Sequence, residues 1–195
     1  MPASGHGDRG VARITPIPLD QVQGRARELL GRLERGGGQP GPMTRAMANA
    51  PALLRGYLDL TRAMKRSQID RRIVERINLA VHERLGCDYC VVAHTRAART
   101  LGVPEDEIQL AREGASKDLA IAAIVAFARQ ALSEPAEITE ADVDRLRAHG
   151  YSDEQIAEVA GLVALQLLTG AFNLIAGIHA TDDALQEIAP RPADG

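Results

Sequence analysis

Between Leu85 and Thr95 the chain reads LGCDYCVVAHT. Cys87 and Cys90 are the only 2 cysteines in 195 residues, and His94 follows four positions after the second. Residues three apart on a helix share a face with Cβ atoms about 5–6 Å apart, so modest adjustment can close a disulfide. His94 lies one turn further along that face. There an imidazole takes a thiol proton directly or through water, or steadies a thiolate as an imidazolium. Gly86 reads as a helix stop and Asp88 as a helix start, which puts both cysteines at or before a first turn. The unpaired amides and dipole of that turn lower a thiol pKa from its free value of about 8.5. The stretch therefore reads as a nucleophile with a base beside it and a second thiol in reach.

Other chemistries fit the same residues to different degrees. A thioredoxin-type dithiol needs a βαβ setting, and none is visible. Haem attachment needs histidine directly after the second cysteine, where Val91 stands. His82, Cys87, Cys90 and His94 offer four zinc ligands of the right kinds. They fall within 13 residues, whereas finger-type sites separate their ligand pairs by about a dozen residues to wrap the ion. The plainest reading also stays open: two small buried thiols and a satisfied core histidine.

The elements that must hold these residues are all helices. Asp20 is a candidate cap for a helix to about Arg35, ended by GGGQPGP. A short helix at Met43–Asn49 precedes one opened by Pro51 and running to about Met64. Asp70 caps a helix with an Ile73, Ile77, Ala80, Val81 stripe, stopped by Gly86. The cysteine-bearing helix runs to Gly102, and Pro104 opens another. Ser116 is expected to cap KDLAIAAIVAFARQAL, Thr139 to cap EADVDRLRAHG, and SDEQ at Ser152 has capping-box form before a final helix to about His179. No window alternates with period two between turns, so the chain reads as all-α.

Composition agrees. With 45% apolar residues, 3% aromatic and no Trp, the core must be Ala, Leu, Ile and Val, which suits close-packed helices. Residues 14–183 read as a single domain, flanked by a disordered 1–13 and a 184–195 tail. A net charge of -3 and no long basic run give no footprint for nucleic acid. The N-terminus lacks an apolar core segment of a secretory signal, so a cytoplasmic protein is expected. GLVALQLLTGAFNLIAGI from Gly161 approaches membrane-span length but contains Gln166, Thr169 and Asn173. It reads as a core or oligomer-interface helix, and no membrane partner is expected.

The longer stretch VERINLAVHERLGCDYCVVAHT resembles the signature of the carboxymuconolactone decarboxylase / alkylhydroperoxidase D superfamily, in its CxxC-containing branch. That signature is Glu, eleven residues, then Cys-x-x-Cys-x-x-x-His, matched here by Glu75, Cys87, Cys90 and His94. AMANAPALLRGYLDL upstream and LRAHGYSDEQIAEVAG downstream, before the apolar helix with Asn173, are supporting echoes. The resemblance implies an all-helical bundle assembling as homotrimers or multiples, and thiol peroxidase activity without metal or organic cofactor. It further implies that Cys90 attacks a hydroperoxide, Cys87 resolves the sulfenic acid as a disulfide, and an external dithiol or thiol-protein reductant restores both. Glu75 and His94 would relay protons.

One position departs from that pattern. The branch carries a second histidine just before the attacking cysteine, where this chain has Tyr89, a poor proton acceptor with a pKa near 10. Tyr89 can still donate a hydrogen bond and stays a candidate site residue, and His82 either substitutes for the absent histidine or merely fills space. On a helical wheel Glu75 lies opposite the apolar stripe with His82 two turns below, so a solvated Glu75 paired with Arg71 or Arg72 is the alternative to a relay. Glu83 reads as surface. Two other functions stay open: a non-catalytic redox-sensing helical oligomer, and a decarboxylase-type reaction using Glu75 or a histidine as base.

Overall fold

A computed structural model describes residues 12–181. These form α1 (Gly24–Arg35), α2 (Pro42–Met47), α3 (Pro51–Met64), α4 (Arg71–Leu85), α5 (Asp88–Thr100), α6 (Glu105–Glu113), α7 (Leu119–Ser133), α8 (Glu140–Ala148) and α9 (Asp153–Ala176), with a 3-10 turn at Pro135–Glu137. No strand occurs among the described residues. The expected tail at 184–195 and most of the expected disordered 1–13 lie outside them. Arg13 is described, and its guanidinium donates to the carbonyls of Leu174 and Ile175 at the end of α9.

Helix α4 is the hub. It packs against α5, α6, α7 and α9, and Ile77, Leu79, Ala80 and Val81 are fully buried. Its Ile77, Ala80 and Val81 join α7 and α9 through Ile124, Val125, Val159 and Leu162. Leu79, on the neighbouring face, meets Val91, Val92 and Ala98 of α5 and Ile108 and Ala111 of α6. A third cluster joins α1, α2 and α3 to the end of α9 through Leu30, Met47, Leu54 and Phe172. With Ala in so many contact positions the helices approach closely, as the nearly aromatic-free composition demands.

The termini follow the expected capping chemistry with three corrections. Asp70 accepts from the Arg72 amide, Thr139 pairs with Asp142 in a capping box, and Ser152 does so with Gln155. Asp20 does not cap α1: residues 18–21 close a turn through Gln21 N to Pro18 O, which delays the helix to Gly24. Ser116 does not cap α7 either. Its hydroxyl donates to the buried Glu107 carboxylate, and Asp118 takes the cap by accepting from the Ala120 and Ile121 amides. Helix α9 stops at Ala176, three residues early, because Gly177 turns left-handed (φ 67) and Ile178 N closes on Asn173 O. By length and composition α9 could cross a membrane, with a mean hydropathy of 1.9 over its best window, yet 56% of that window is buried within the fold.

Ile77 lies at the meeting point of α4, α7 and α9 with no exposure. Ile77→Ala should lower unfolding free energy by about 2–5 kcal/mol, read from denaturant midpoints at constant slope.

Candidate active site

Three helices supply the polar residues, and each does so through a regular stripe. On α4, Arg71, Glu75, Asn78 and His82 recur at spacings of four, three and four, which is one helical face. Helix α5 contributes Cys87 at its cap position, Cys90 in its first turn and His94 one turn on. Helix α9 adds Gln166, Thr169, Gly170 and Asn173, again one face.

The α4–α5 junction brings the first two stripes together. Gly86 is left-handed (φ 72), Gly86 N donates to Glu83 O at 3.2 Å, and Cys87 N donates to His82 O at 3.1 Å. This paired closure ends α4 and reverses the chain within two residues. Cys87 and Cys90 are joined by a disulfide, their Cα atoms 5.3 Å apart, and both are buried. The Asn173 amide lies 3.3 Å from Cys90 Sγ and 4.0 Å from Cys87 Sγ.

Glu75 is not solvated beside Arg71 or Arg72. Its Oε2 accepts from His94 Nδ1 at 2.7 Å, so Nε2 is the ring's free acceptor. The Asn78 amide sits 3.4 Å from the same Nδ1. His82 is fully buried and stacks on His94 with ring centroids 5.0 Å apart and planes 16° from parallel. Its Nε2 donates to Gln166 Oε1 at 2.8 Å, while its Nδ1 is buried without a partner. Desolvation lowers the His82 pKa to about 3, the neighbouring His94 adds to this, and the Gln166 bond opposes it weakly. The ring is neutral at ordinary pH, and Nδ1 carries a lone pair.

Gly170 makes this packing feasible. A Cβ there would meet Leu85 Cδ1 at 2.8 Å and His82 Nδ1 at 3.2 Å, so a side chain at that position would displace Leu85 and press on the histidine ring. Tyr89 lines the same cavity as Cys90 and His94. It packs with the α1–α3 cluster, its hydroxyl has no hydrogen-bond partner among the described residues, and burial raises its pKa against an opposing Arg45 charge. Glu83 is exposed and pairs with Arg112, as read from sequence.

Of the four suggested zinc ligands, His82, Cys87 and Cys90 place ligand atoms within 4.8 Å of one another. His94 is outside that group, with its Nδ1 held by Glu75, so the set has three members and two of them are tied in the disulfide. Three of the four suggested ligands thus come together and His94 does not.

A cavity of about 410 Å³ opens onto this face. Glu75, Asn78, His82, Cys90, His94 and Asn173 line its polar side, and Met64, Val74, Leu162 and Leu165 its apolar side. Gln166, Asn78 and Asn173 were not singled out as site residues by sequence reading. The available signal was the spacing of Gln166, Thr169 and Asn173 along an otherwise apolar helix.

Residues 51–134, spanning α3 to α7, match the Carboxymuconolactone decarboxylase family. No curated protein sequence matches the chain. Among solved structures, the alkylhydroperoxidase AhpD core of an uncharacterized peroxidase-related protein from Ralstonia eutropha JMP134 is similar, with a TM-score of 0.77 at 22% identity over 92% of this chain and 98% of that one. A peroxidase-related protein from Silicibacter sp. TM1040 gives 0.74 at 21% identity over 90% and 96%. The debrominase Bmp8 gives 0.73 at 21% identity over 90% and 97%. At such identities the likeness establishes the fold.

The buried His82 has a consequence for stability. The unfolded chain takes up its proton near pH 6.5, the folded one only near pH 3. This contribution is fully present above pH 6.5 and is lost as pH falls from there toward 3, at up to about 1.4 kcal/mol per pH unit. Denaturant titrations between about pH 7 and pH 4 should show a steeper loss for the wild type than for His82→Gln. Identical slopes would contradict the assigned environment.

Proposed function

We propose, from the membership of residues 51–134 in the carboxymuconolactone decarboxylase family, that this chain is a dithiol peroxidase acting on hydroperoxides through Cys90 and Cys87. The observation that carries the reading is the cysteine pair at the start of α5, whose Cys90 opens onto one cavity with the His94–Glu75 pair.

In the reduced state the Cys90 thiolate attacks the outer oxygen of the hydroperoxide. The O–O bond breaks, the sulfur is oxidised to a sulfenic acid, and the departing alkoxide takes a proton to leave as an alcohol. His94 Nε2 receives the Cys90 proton and returns it to the alkoxide, while Glu75 fixes the ring through Nδ1. The Asn173 amide donates to the Cys90 sulfur and, with the α5 dipole, favours the thiolate. Cys87 then attacks the Cys90 sulfur, the S–O bond breaks, and hydroxide leaves as water once protonated. His82, neutral and with Nδ1 free, is suited to carry the proton from Cys87 to that hydroxide. It thereby stands in for the histidine that Tyr89 replaces. An external dithiol or thiol protein reduces the disulfide and closes the cycle. That requirement fits the expected cytoplasmic, reducing setting.

Assembly into a homo-oligomer, a trimer or a multiple of one, belongs to the same reading. Helix α9 presents Ala157, Ala160, Ala164, Leu167 and Ile175 outward, and no charged residue occurs from Gly161 to Ala176. Leu167 is 46% and Ile175 64% exposed, which supports a covered face in the assembled protein.

With excess small dithiol, the wild type should consume alkyl hydroperoxide and Cys90→Ser should not. Glu75→Gln should lower kcat by about 10²-fold or more, and Tyr89→Phe should stay within about twofold because a wall residue carries no proton. Absence of turnover in the wild type would refute the peroxidase reading for the substrates used. A Leu167→Glu, Ile175→Glu variant should sediment as a monomer where the wild type sediments as an oligomer.

A further inference from the structure

The cavity changes character at its mouth. Lys65, just beyond α3, and Arg71, the first residue of α4, both line it and both are exposed. Neither side chain is in an ion pair among the described residues. They belong to a basic stretch: residues 62–72 hold Arg62, Lys65, Arg66, Arg71 and Arg72 against the single acid Asp70, on a chain whose net charge is -3. Elsewhere arginines find carboxylates, as in Arg27–Glu34, Arg55–Asp59 and Arg147–Asp153. Here the nearby acids are engaged otherwise. Asp70 caps α4 and faces Arg72, and Glu158 accepts from Ser67 and the Gln68 amide.

Inward of this mouth the wall is apolar, through Met64, Val74, Leu162 and Leu165. Arg71 and His82 are eleven residues apart on one face of α4, which is about 16 Å along its axis. Glu75 lies one turn inward of Arg71 on the same face, about 6 Å along the axis, where it holds His94 and disfavours a second anion deeper than the rim. A ligand carrying a negative group is thus oriented with its head at the rim and its body toward Cys90.

We infer that the cavity takes an amphipathic anion, an apolar body ending in a carboxylate held between Lys65 and Arg71. The volume of about 410 Å³ suits a medium-chain or compact aromatic acid and is near the lower end of ordinary ligand sites. The inference deepens the peroxidase reading, on which the substrate is a hydroperoxide bearing its own carboxylate. Its binding half stands without that reading.

Calorimetric titration of the full chain, disulfide intact, with octanoate and with methyl octanoate tests it. Octanoate should bind about fivefold or more tightly than the ester, the margin shrinking as salt is raised. In Lys65→Gln, Arg71→Gln the two should bind within about twofold of each other. Both substituted residues are exposed, and an unchanged melting curve verifies the fold of the variant. Equal binding of acid and ester, a margin that survives the double substitution, or no binding of either compound would overturn the inference. Octanoate binding with its margin, without any peroxide consumption, would refute the peroxidase reading and uphold this one. Turnover indifferent to a carboxylate on hydroperoxides of equal length would do the reverse.

Discussion

The closure between the His82 carbonyl and the Cys87 amide is the constraint on which the site depends. Gly86 adopts a left-handed conformation that a side chain would strain, and the chain therefore turns from α4 into α5 with no loop to spare. The consequence is geometric. The last turn of one helix and the first of the next become neighbours, so His82 lies against the cysteines and His94 against both His82 and Glu75. A longer connection would let α5 slide along α4, and the ring stack and the 2.7 Å contact to Glu75 would have no fixed register.

A polar face buried among apolar helices is costly unless each group is met, and most here are. Glu75 meets His94, His82 meets Gln166, and Asn173 meets the cysteine sulfurs. Thr61 Oγ1, Asn78 Oδ1, His82 Nδ1 and Asn173 Oδ1 are buried without partners among the described residues and their residues line the cavity, while Arg45 Nε, Arg76 Nε and Thr95 Oγ1 are unpartnered away from it. The unmet groups that do line the cavity are available to a ligand there. The Arg76–Glu107 pair, also buried, lies on the opposite side of α4 with Ser116 and the Lys117 amide satisfying its carboxylate. It serves the packing of α6.

Peroxidase-related proteins and a debrominase share this helical scaffold, so the scaffold alone does not select a reaction. In this chain a tyrosine stands inside the CxxC, packed with the α1–α3 cluster, and a buried histidine on α4 lies against the cysteines. The two histidines and Glu75 therefore come from two elements whose spacing is set by backbone hydrogen bonds.

Much of this was legible in sequence for reasons that are local. Helix starts at Asp70, Thr139 and Ser152, the stop at Gly86, and the cysteine pair at the head of α5 depend on residues within one turn of each other, which periodicity and capping chemistry report. The failures at Asp20 and Ser116 are also local in form but tertiary in cause: a Pro18–Gln21 turn and the buried Glu107 carboxylate compete for the same segments. The wheel correctly put Glu75 and His82 on one polar face of α4, but it had no means of saying what that face meets. Only the packing of α5 and α9 against α4 decided that Glu75 binds His94 and that His82 is dry, neutral and stacked. It also brought Gln166 and Asn173, some 80 residues further along the chain, onto the same cavity. Such partners are invisible to any short window, because their pairing is a property of the fold and of one glycine, Gly170, that lets two helices close.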